Sequence, residues 1–599
     1  MACTTDTYLL LGAFVDELAR CGMRAACTSP GSRSAPLVLS LAREPRLRCF
    51  SHVDERCAGF FAVGLAKASG VPVAVACTSG TAASELLPAA IEAREARVPL
   101  LLLTADRPAE LRENGAGQAI DQLGLFGGAA KWFFEVELDD ADGERLRWMR
   151  TLACRSYWSA LEGRAGVVHL NFPLREPLVT EREPPQDESG RPGGEPYLRR
   201  PRLAASVPPS SFGELVEGAR RGVLVAGRHE RPSPLGAAAA DFAASAGWPL
   251  LADPLSGARR GEAAIAHYDA LLRDAAFAEA ARPDVVVRVG DLPVSKPLRG
   301  WLAGLDGARQ VALDPEGAWQ DPAAVLCDSL AVDPAQALSA WARAAEGSAA
   351  AGSEPDWLAS WLSADERASE AILGVLGGEL SEPAVAAELG VLLPAEATLF
   401  VASSMPVRDI ESFWPVRPDP PRVLCNRGAS GIDGTVSAAF GAAAHADGPA
   451  VLLIGDVALA HDIGGLLAAG RLGLKLTIVL LDNGGGGIFD FLPVSRAGMA
   501  RAPAGRAGTA ARITGAGEEE DEDVYTRHIA TPTGLDFAKA CSLYGLSHDR
   551  AGDIASLRSA LERALADEHS SVVEVRTRRA ENVALHGRVW DEVARAISR

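Results

Sequence analysis

No two cysteines in this 599-residue chain stand in C-x-x-C spacing, although there are ten, at positions 3, 21, 27, 49, 57, 77, 154, 327, 425 and 541. Scattered this way, they read as reduced, mostly buried thiols, which argues against a disulfide frame or a zinc site. Positive charge is also scarce: 59 Lys plus Arg stand against 78 Asp plus Glu, a net charge of −19. A nucleic-acid partner calls for a basic footprint, so that class is set aside. An anionic small molecule is not, because screening acts over roughly 8 Å and a local arginine cluster outweighs distant carboxylates. No uncharged apolar stretch is long and hydrophobic enough to make a membrane span. The opening "MACTTDTYLLLGAFVDELAR" lacks a basic leader and carries Asp6 and Asp16 around a short apolar run. It reads as an amphipathic helix, not a signal peptide, and the expected location is cytoplasmic.

What is present suits large cores: 48% of residues are hydrophobic and 23% charged. Continuous apolar runs bounded by turn residues, such as "VPVAVACTSG" and "VPLLLLTAD", have the character of strands buried on both faces. They alternate with helix-like stretches such as "CAGFFAVGLAKASG". The expected fold is therefore α/β, three doubly wound domains with mainly parallel central sheets. A Pro/Gly/charge-rich stretch at 179–201 separates a first domain, 1–178, from a second, 202–342. A further linker at 343–357 precedes a third domain, 358–599. Within the third domain, 496–523 is a Gly/Ala/Arg segment ending in "EEEDED"; a run of six carboxylates repels itself and is expected to form a mobile surface loop.

Two strand-like runs in the third domain end unusually. "AVLLIGD" runs into Gly455-Asp456, and "LTIVLLDNGGGGIF" runs into Asn483 and four consecutive glycines. A hard divalent cation takes oxygen ligands from one or two side chains plus phosphate oxygens. Asp456 offers a carboxylate, Asn483 an amide carbonyl and Gly485 a backbone carbonyl. The glycines let the backbone approach a ligand closely, and N–H groups after Gly455 would face a diphosphate. A single Gly-Asp is more often an ordinary turn, but two strand ends of this kind in one domain favour a metal–diphosphate site.

The pairing resembles the Gly-Asp…Asn motif of thiamine diphosphate (ThDP) enzymes, with Gly-Asp-Val and Asp-Asn here where Gly-Asp-Gly and Asn-Asn are commoner. The resemblance implies a carboxylate in the first domain that shares a proton with the aminopyrimidine N1′. It should lie at a strand-to-helix junction in an apolar setting that raises its pKa. In "SHVDERCAGFFAVGLA", Glu55 fits; without that context it would be a helix N-terminal acid favoured by the dipole.

The ordered motifs "SPGSRSAPL", "LTADRPAELRENGAGQAIDQLGLF", "NRGASGIDG" and "DNGGGGIFDFLP" narrow the resemblance. They are similar to the 2-succinyl-5-enolpyruvyl-6-hydroxy-3-cyclohexene-1-carboxylate (SEPHCHC) synthases of menaquinone biosynthesis. This resemblance implies decarboxylation of 2-oxoglutarate on ThDP and 1,4-addition of the succinyl unit to isochorismate. Both substrates are dianions, which suits arginine's planar, permanently charged fork. Ser32, Arg33, Arg107, Gln118 and Lys296 are placed towards isochorismate, and Ser404, Arg408 and Arg427 near the oxoacid and cofactor. Catalytic roles are expected for Glu55, Arg33, Gln118, Ser404, Arg408 and Arg427. Cofactor contacts are expected from Glu55, Ser404, Ser430, Ile432, Gly455, Asp456, Asn483, Gly485 and Ile488. Ile432 matches the residue that props ThDP in its bent form, and Ile488, Phe489 and Leu492 match an apolar wall that excludes water. The metal is expected on Asp456, Asn483 and Gly485, as Mg²⁺ or Mn²⁺. A homodimer or homotetramer with active sites between subunits is implied. The alternative left open is another ThDP 2-oxo acid enzyme of the acetohydroxyacid-synthase or decarboxylase type. Against it stand the four arginines 33, 107, 408 and 427, and the lack of a G-x-G-x-x-G fingerprint in "RGVLVAGRHE".

Overall fold

The computed structural model describes residues 4–180, 187–201, 205–229, 231–346, 354, 356–497 and 523–598. The acidic segment expected to be a mobile loop falls almost wholly outside the described residues. Three sheets follow one another along the chain. The first contains β1 (Ala25–Thr28), β2 (Arg48–Ser51), β3 (Val73–Cys77), β4 (Leu100–Asp106), β5 (Ala130–Glu135) and β6 (Val167–Pro173), in the order β2-β1-β3-β4-β6-β5. The second contains β7 (Gly222–Ala226), β8 (Leu250–Ala252), β9 (Val285–Val289), β10 (Arg309–Leu313) and β11 (Asp328–Leu330), in the order β11-β10-β9-β7-β8. The third contains β12 (Thr398–Val401), β13 (Arg422–Cys425), β14 (Ala450–Gly455), β15 (Thr477–Asp482), β16 (Ser547–Ala551) and β17 (Ser571–Arg576), in the order β13-β12-β14-β15-β17-β16.

Every ladder is parallel, so the sheets go further than the mainly parallel expectation. The first and third share one strand permutation. In each, the order reverses beside the first strand, and an open parallel sheet binds ligands in the crevice outside the strands' carboxyl ends at such a point. Four strands are hard to read from their own residues: β1 ("AACT"), β5 ("AKWFFE"), β11 ("DSL") and β16 ("SHDRA"). β1 is fully buried but too short to show a period, and the other three lie at sheet edges with polar or half-exposed residues. A strand with one free edge keeps little of the apolar run that marks a central one.

The first and third sheets are locked together by glycine. The helix Glu55–Ser69 crosses Thr435–Ala443 so closely that a Cβ on Gly64 would lie 1.8 Å from the Ala438 carbonyl oxygen, and one on Gly441 2.0 Å from that of Phe61. One apolar cluster consequently runs from Phe61 and Val75 to Phe440, Ile454 and Ile478.

Buried histidines give this core a pH dependence. His169 on β6 is fully buried, its Nε2 2.8 Å from the Thr104 hydroxyl, and burial holds its pKa down to about 3. The folded value lies below the unfolded one, so the unfolded chain takes up the proton first and stability falls on acidification from about pH 6.5 towards 3. Between pH 7.5 and pH 5 this one group should contribute about 2 kcal/mol to the loss. Denaturant unfolding of His169→Asn at the two pH values should show a pH-dependent loss smaller by about that amount. An unchanged pH dependence would mean that His169 does not couple to folding.

Candidate active site

Apart from Lys296, which belongs to the second sheet's domain, the site residues named from the sequence lie at or after the carboxyl ends of strands in the first and third sheets. In the third, Gly455 on β14 is in register with Leu481 on β15, which places Gly455-Asp456 beside Asp482-Asn483. The glycine run folds back across this pair: the Gly485 N–H donates to Asp456 Oδ2 at 2.8 Å. Gly484 and Gly485 have φ of +73° and +136°, and a Cβ on Gly485 would lie 2.6 Å from the Ala530 carbonyl oxygen. A side chain would be strained there on both counts. Asp456 is 2% exposed, and burial, with Asp482 nearby, lifts its pKa to about 6.

Asn483 is oriented from behind. Its Nδ2 donates to Glu382 Oε1 at 3.0 Å, leaving Oδ1 buried with no hydrogen-bond partner. Buried polar atoms are normally paired, so a bare carbonyl oxygen beside a buried carboxylate fits an oxygen-seeking cation. Thr577 also donates to Glu382 Oε1, at 2.9 Å, and burial with Asp409 nearby raises the Glu382 pKa to about 7. The Gly485 carbonyl accepts the Gly487 N–H at 2.9 Å and keeps a second lone pair.

In the first sheet, Ser32 and Arg33 follow β1, and Arg107 follows β4. Arg33 is buried, donating from Nη1 to the Leu174 carbonyl at 2.8 Å and from Nη2 to Glu176 at 3.0 Å. Arg107 donates to the Ser79 hydroxyl, and burial together with Arg33 lowers its pKa. Gln118 closes the group: Nε2 donates to the Ser79 carbonyl at 2.9 Å, and its own carbonyl accepts the Ser79 hydroxyl at 3.0 Å. Glu55 begins its helix after the N-cap Asp54, whose carboxylate accepts from Arg56 N and Cys57 N. Half-buried Glu55 has its pKa raised by desolvation, opposed by its own backbone N–H and assisted by Asp54 and Glu85. Among the described residues, no hydrogen bond or ion pair joins Glu55 to the third-sheet group.

A second arginine group lies beyond β12 and β13. Arg408, on the helix Met405–Phe413, donates to the Ser404 carbonyl at 2.5 Å. Its pKa is lowered by burial, then by Arg427 and, less strongly, Arg299. Arg299 itself is lowered by desolvation and Arg427. Ser404, Ser430 and Gln118 have φ of +74°, +61° and +56°, a region rare for residues other than glycine and concentrated at ligand sites. Lys296 opens the helix Lys296–Ala303 with its side chain exposed. Ile432 packs on the core shared by the first and third sheets. Ile488 and Phe489 are half-buried on the turn Gly487–Phe491, with Leu492 43% exposed just after it.

Three family descriptions match in succession: the N-terminal TPP binding domain of thiamine pyrophosphate enzymes over 11–125, the middle domain over 195–401 and the C-terminal TPP binding domain over 406–575. The chain is 43% identical to the 2-succinyl-5-enolpyruvyl-6-hydroxy-3-cyclohexene-1-carboxylate synthase of Geobacillus kaustophilus, with 98% of each chain covered. It is 40% identical to the Chloroflexus aurantiacus synthase (98% of this chain, 96% of the relative) and 38% to that of Listeria innocua (98% and 97%). The chain belongs to the SEPHCHC synthase family. It is a thiamine diphosphate-dependent enzyme of the transferase type, and no described helix is long and apolar enough to cross a membrane.

In this SEPHCHC synthase family member, three neighbours of the candidate site residues escape a reading of the sequence. Arg299 stands within the "PVSKPLRGWL" segment, but only the folded chain brings it within electrostatic range of Arg427. Glu382 lies a hundred residues before Asn483 and looks like an ordinary acid in a helix's first turn. The third is Asp409, whose Oδ1 is 3.1 Å from His586 Nε2; Glu382, Asp409 and His586 are all buried, and Glu382 interacts electrostatically with the other two. His461, near the Gly-Asp turn, is exposed and takes no part in it.

Proposed function

We propose that this enzyme forms 2-succinyl-5-enolpyruvyl-6-hydroxy-3-cyclohexene-1-carboxylate and CO₂ from 2-oxoglutarate and isochorismate. The observation that carries this reading is the pair of arginine groups: Arg33 with Arg107 in the first domain, and Arg408, Arg427 and Arg299 at the third. Burial and a neighbouring guanidinium lower the pKa of Arg107 in the first group and of Arg408 and Arg299 in the second, and an anion seated there would offset that repulsion. Two such groups match two dianionic substrates, whereas a pyruvate enzyme needs fewer cations. The first group, with Ser32, Gln118 and Lys296, is assigned to isochorismate; the second, with Ser404, to 2-oxoglutarate.

Bound ThDP supplies the electron sink that makes loss of CO₂ from a 2-oxo acid feasible. The chain's own residues do the rest. Asp456, the bare Oδ1 of Asn483 and the Gly485 carbonyl would hold Mg²⁺ or Mn²⁺, with Gly455, Ser430 and Ile432 against the cofactor. Glu55, whose pKa desolvation raises, would exchange a proton with the aminopyrimidine. Ile488, Phe489 and Leu492 exclude water from the reacting carbon, and Arg408 and Arg427 fix the oxoacid carboxylates. A partly buried Glu55 close in sequence to Val53, which is 56% exposed, supports a homodimeric or homotetrameric enzyme in which a second subunit covers this carboxylate.

Mass spectrometry of products formed with ThDP, Mg²⁺ and 2-oxoglutarate, with and without isochorismate, tests the assignment. The succinyl-cyclohexene adduct should form only when both substrates are present. Preferential turnover of pyruvate would transfer the enzyme to the acetohydroxyacid-synthase type. Arg107→Ala should raise KM for isochorismate about 10- to 100-fold, as expected when a charged hydrogen bond is lost, with KM for 2-oxoglutarate little changed. Equal effects on both constants would break the division into two subsites.

A further inference from the structure

We propose that a buried Lys67–Glu92 pair in the first domain is a positioning device that sets Arg427 for the oxoacid. The proposal rests on the reading of Arg427 given above. Lys67, 1% exposed, lies near the end of the helix Glu55–Ser69; Glu92, 3% exposed, lies on Leu87–Glu95. Lys67 Nζ donates to Glu92 Oε1 at 3.0 Å, to the Cys425 carbonyl at 2.7 Å and to Asn426 Oδ1 at 3.3 Å. Glu92 in turn accepts the Gly428 N–H on Oε1 at 3.0 Å and the Ala429 N–H on Oε2 at 2.7 Å. One ion pair therefore holds the two residues before Arg427 and the two after it.

The chain around Arg427 is seated hard against this pair. A Cβ on Gly428 would lie 2.6 Å from both Ala96 N and the Glu92 carbonyl oxygen, so only glycine fits against that helix end. Arg422, at the start of β13, donates to the Lys67 and Ala68 carbonyls at 2.6 Å each and ties the strand to the same helix. The Asn426 carbonyl accepts the Ser403 hydroxyl at 3.2 Å, which links the loop to the turn of Ser404 and Arg408. A buried ion pair is often no more stabilising than apolar residues of the same shape. What this one adds is direction: two adjacent N–H groups converge on one carboxylate, which fixes the peptide planes on which Arg427 depends.

The test uses the full-length enzyme loaded with ThDP and Mg²⁺, with rates expressed per ThDP-loaded site. Glu92→Gln keeps the shape but removes the charge that the loop N–H groups and Lys67 share. Ala429→Pro deletes one loop N–H at an exposed position and leaves the buried pair intact. In both, KM for 2-oxoglutarate should rise about tenfold, the worth of a hydrogen bond to a charged group, with KM for isochorismate within about twofold. A structural role alone would lower the loaded fraction and leave both KM values unchanged; that result in Ala429→Pro overturns the proposal. Arg427→Ala is measured alongside. If it raises KM for 2-oxoglutarate and the two positioning variants do not, the device fails while the assignment of Arg427 stands. If Arg427→Ala leaves that KM unchanged, the assignment of Arg427 fails and the proposal with it.

Discussion

Glu55→Gln should lower turnover by at least about 10²-fold, the usual lower range for a group that transfers a proton in the rate-determining region of a reaction, while ThDP still binds. The two halves of this expectation have separate structural sources. Glu55 stands at the start of a helix whose remaining first turn is capped by Asp54, not by Glu55, so the amide leaves the helix and its glycine-tight crossing intact. The residues expected to hold the diphosphate lie on β14, β15 and the loops after them, with no hydrogen bond to Glu55 among the described residues. Binding and proton transfer are thus separable by one substitution. Burial favours the protonated acid, its own backbone N–H opposes this, and Asp54 and Glu85 push the same way as burial, so the net shift is towards proton retention relative to an exposed glutamate. Glutamine keeps the size and a hydrogen-bonding amide but has no proton to exchange. Steady-state turnover at saturating ThDP, with a fluorescence titration of ThDP binding, checks both halves. Undiminished turnover would remove Glu55 from the mechanism; loss of ThDP affinity equal to the loss of rate would make it a binding residue instead.

The parts of this fold that a sequence displays are those whose causes are local. Central strands such as β3, β4 and β15 are buried on both faces and contain runs of four or five apolar residues, and the glycines of "DNGGGG" mark a backbone that takes positive φ at Gly484 and Gly485. Edge strands leave no such mark: β16, "SHDRA", pairs with β17 alone and carries its charges outward. The same division runs through the candidate site. Asp456 and Asn483 stand at strand ends and declare themselves by position. Glu382, which turns the Asn483 amide so that its oxygen stays bare, is contributed by a helix a hundred residues away. Lys67 and Glu92 sit on helices of the first domain and act on a loop of the third. Contacts between domains follow from the crossing of Gly64 with Ala438 and of Gly441 with Phe61, a tertiary fact with no local period. Arginine shows the limit plainly: single arginines are usually solvated surface charges, and neither Arg33 with Arg107 nor Arg299 with Arg427 are neighbours along the chain.

Asp456→Ala should abolish metal-dependent cofactor retention while leaving the unliganded fold nearly as stable as before. Removal of residues that merely support a metal's ligands costs about 10- to 100-fold in affinity, and loss of the proposed carboxylate ligand should cost at least about 10²-fold in ThDP retention at fixed Mg²⁺. The unliganded protein behaves differently because Asp456 is under strain there. Its pKa of about 6 against an ordinary 3.8 makes the buried carboxylate unfavourable by about 3 kcal/mol above pH 6. Alanine relieves that cost but strands the Gly485 and Val457 N–H groups, each worth about 1–3 kcal/mol when a buried donor loses its partner, so the opposing terms are of similar size. In the wild type, ThDP and Mg²⁺ at a hundred times the dissociation constant should add about 2.7 kcal/mol of stability; in the variant that increment should vanish. The sign with pH follows from the same shift: a cation needs the ionised acid, so wild-type metal affinity should fall as the pH drops below about 6, with protons released on binding. Thermal melts with and without ThDP and Mg²⁺, at pH 5.5 and 7.5, read all three effects. A variant that is still stabilised by ThDP and Mg²⁺ would place the metal elsewhere, and one that melts far lower without ligands would make Asp456 a structural acid.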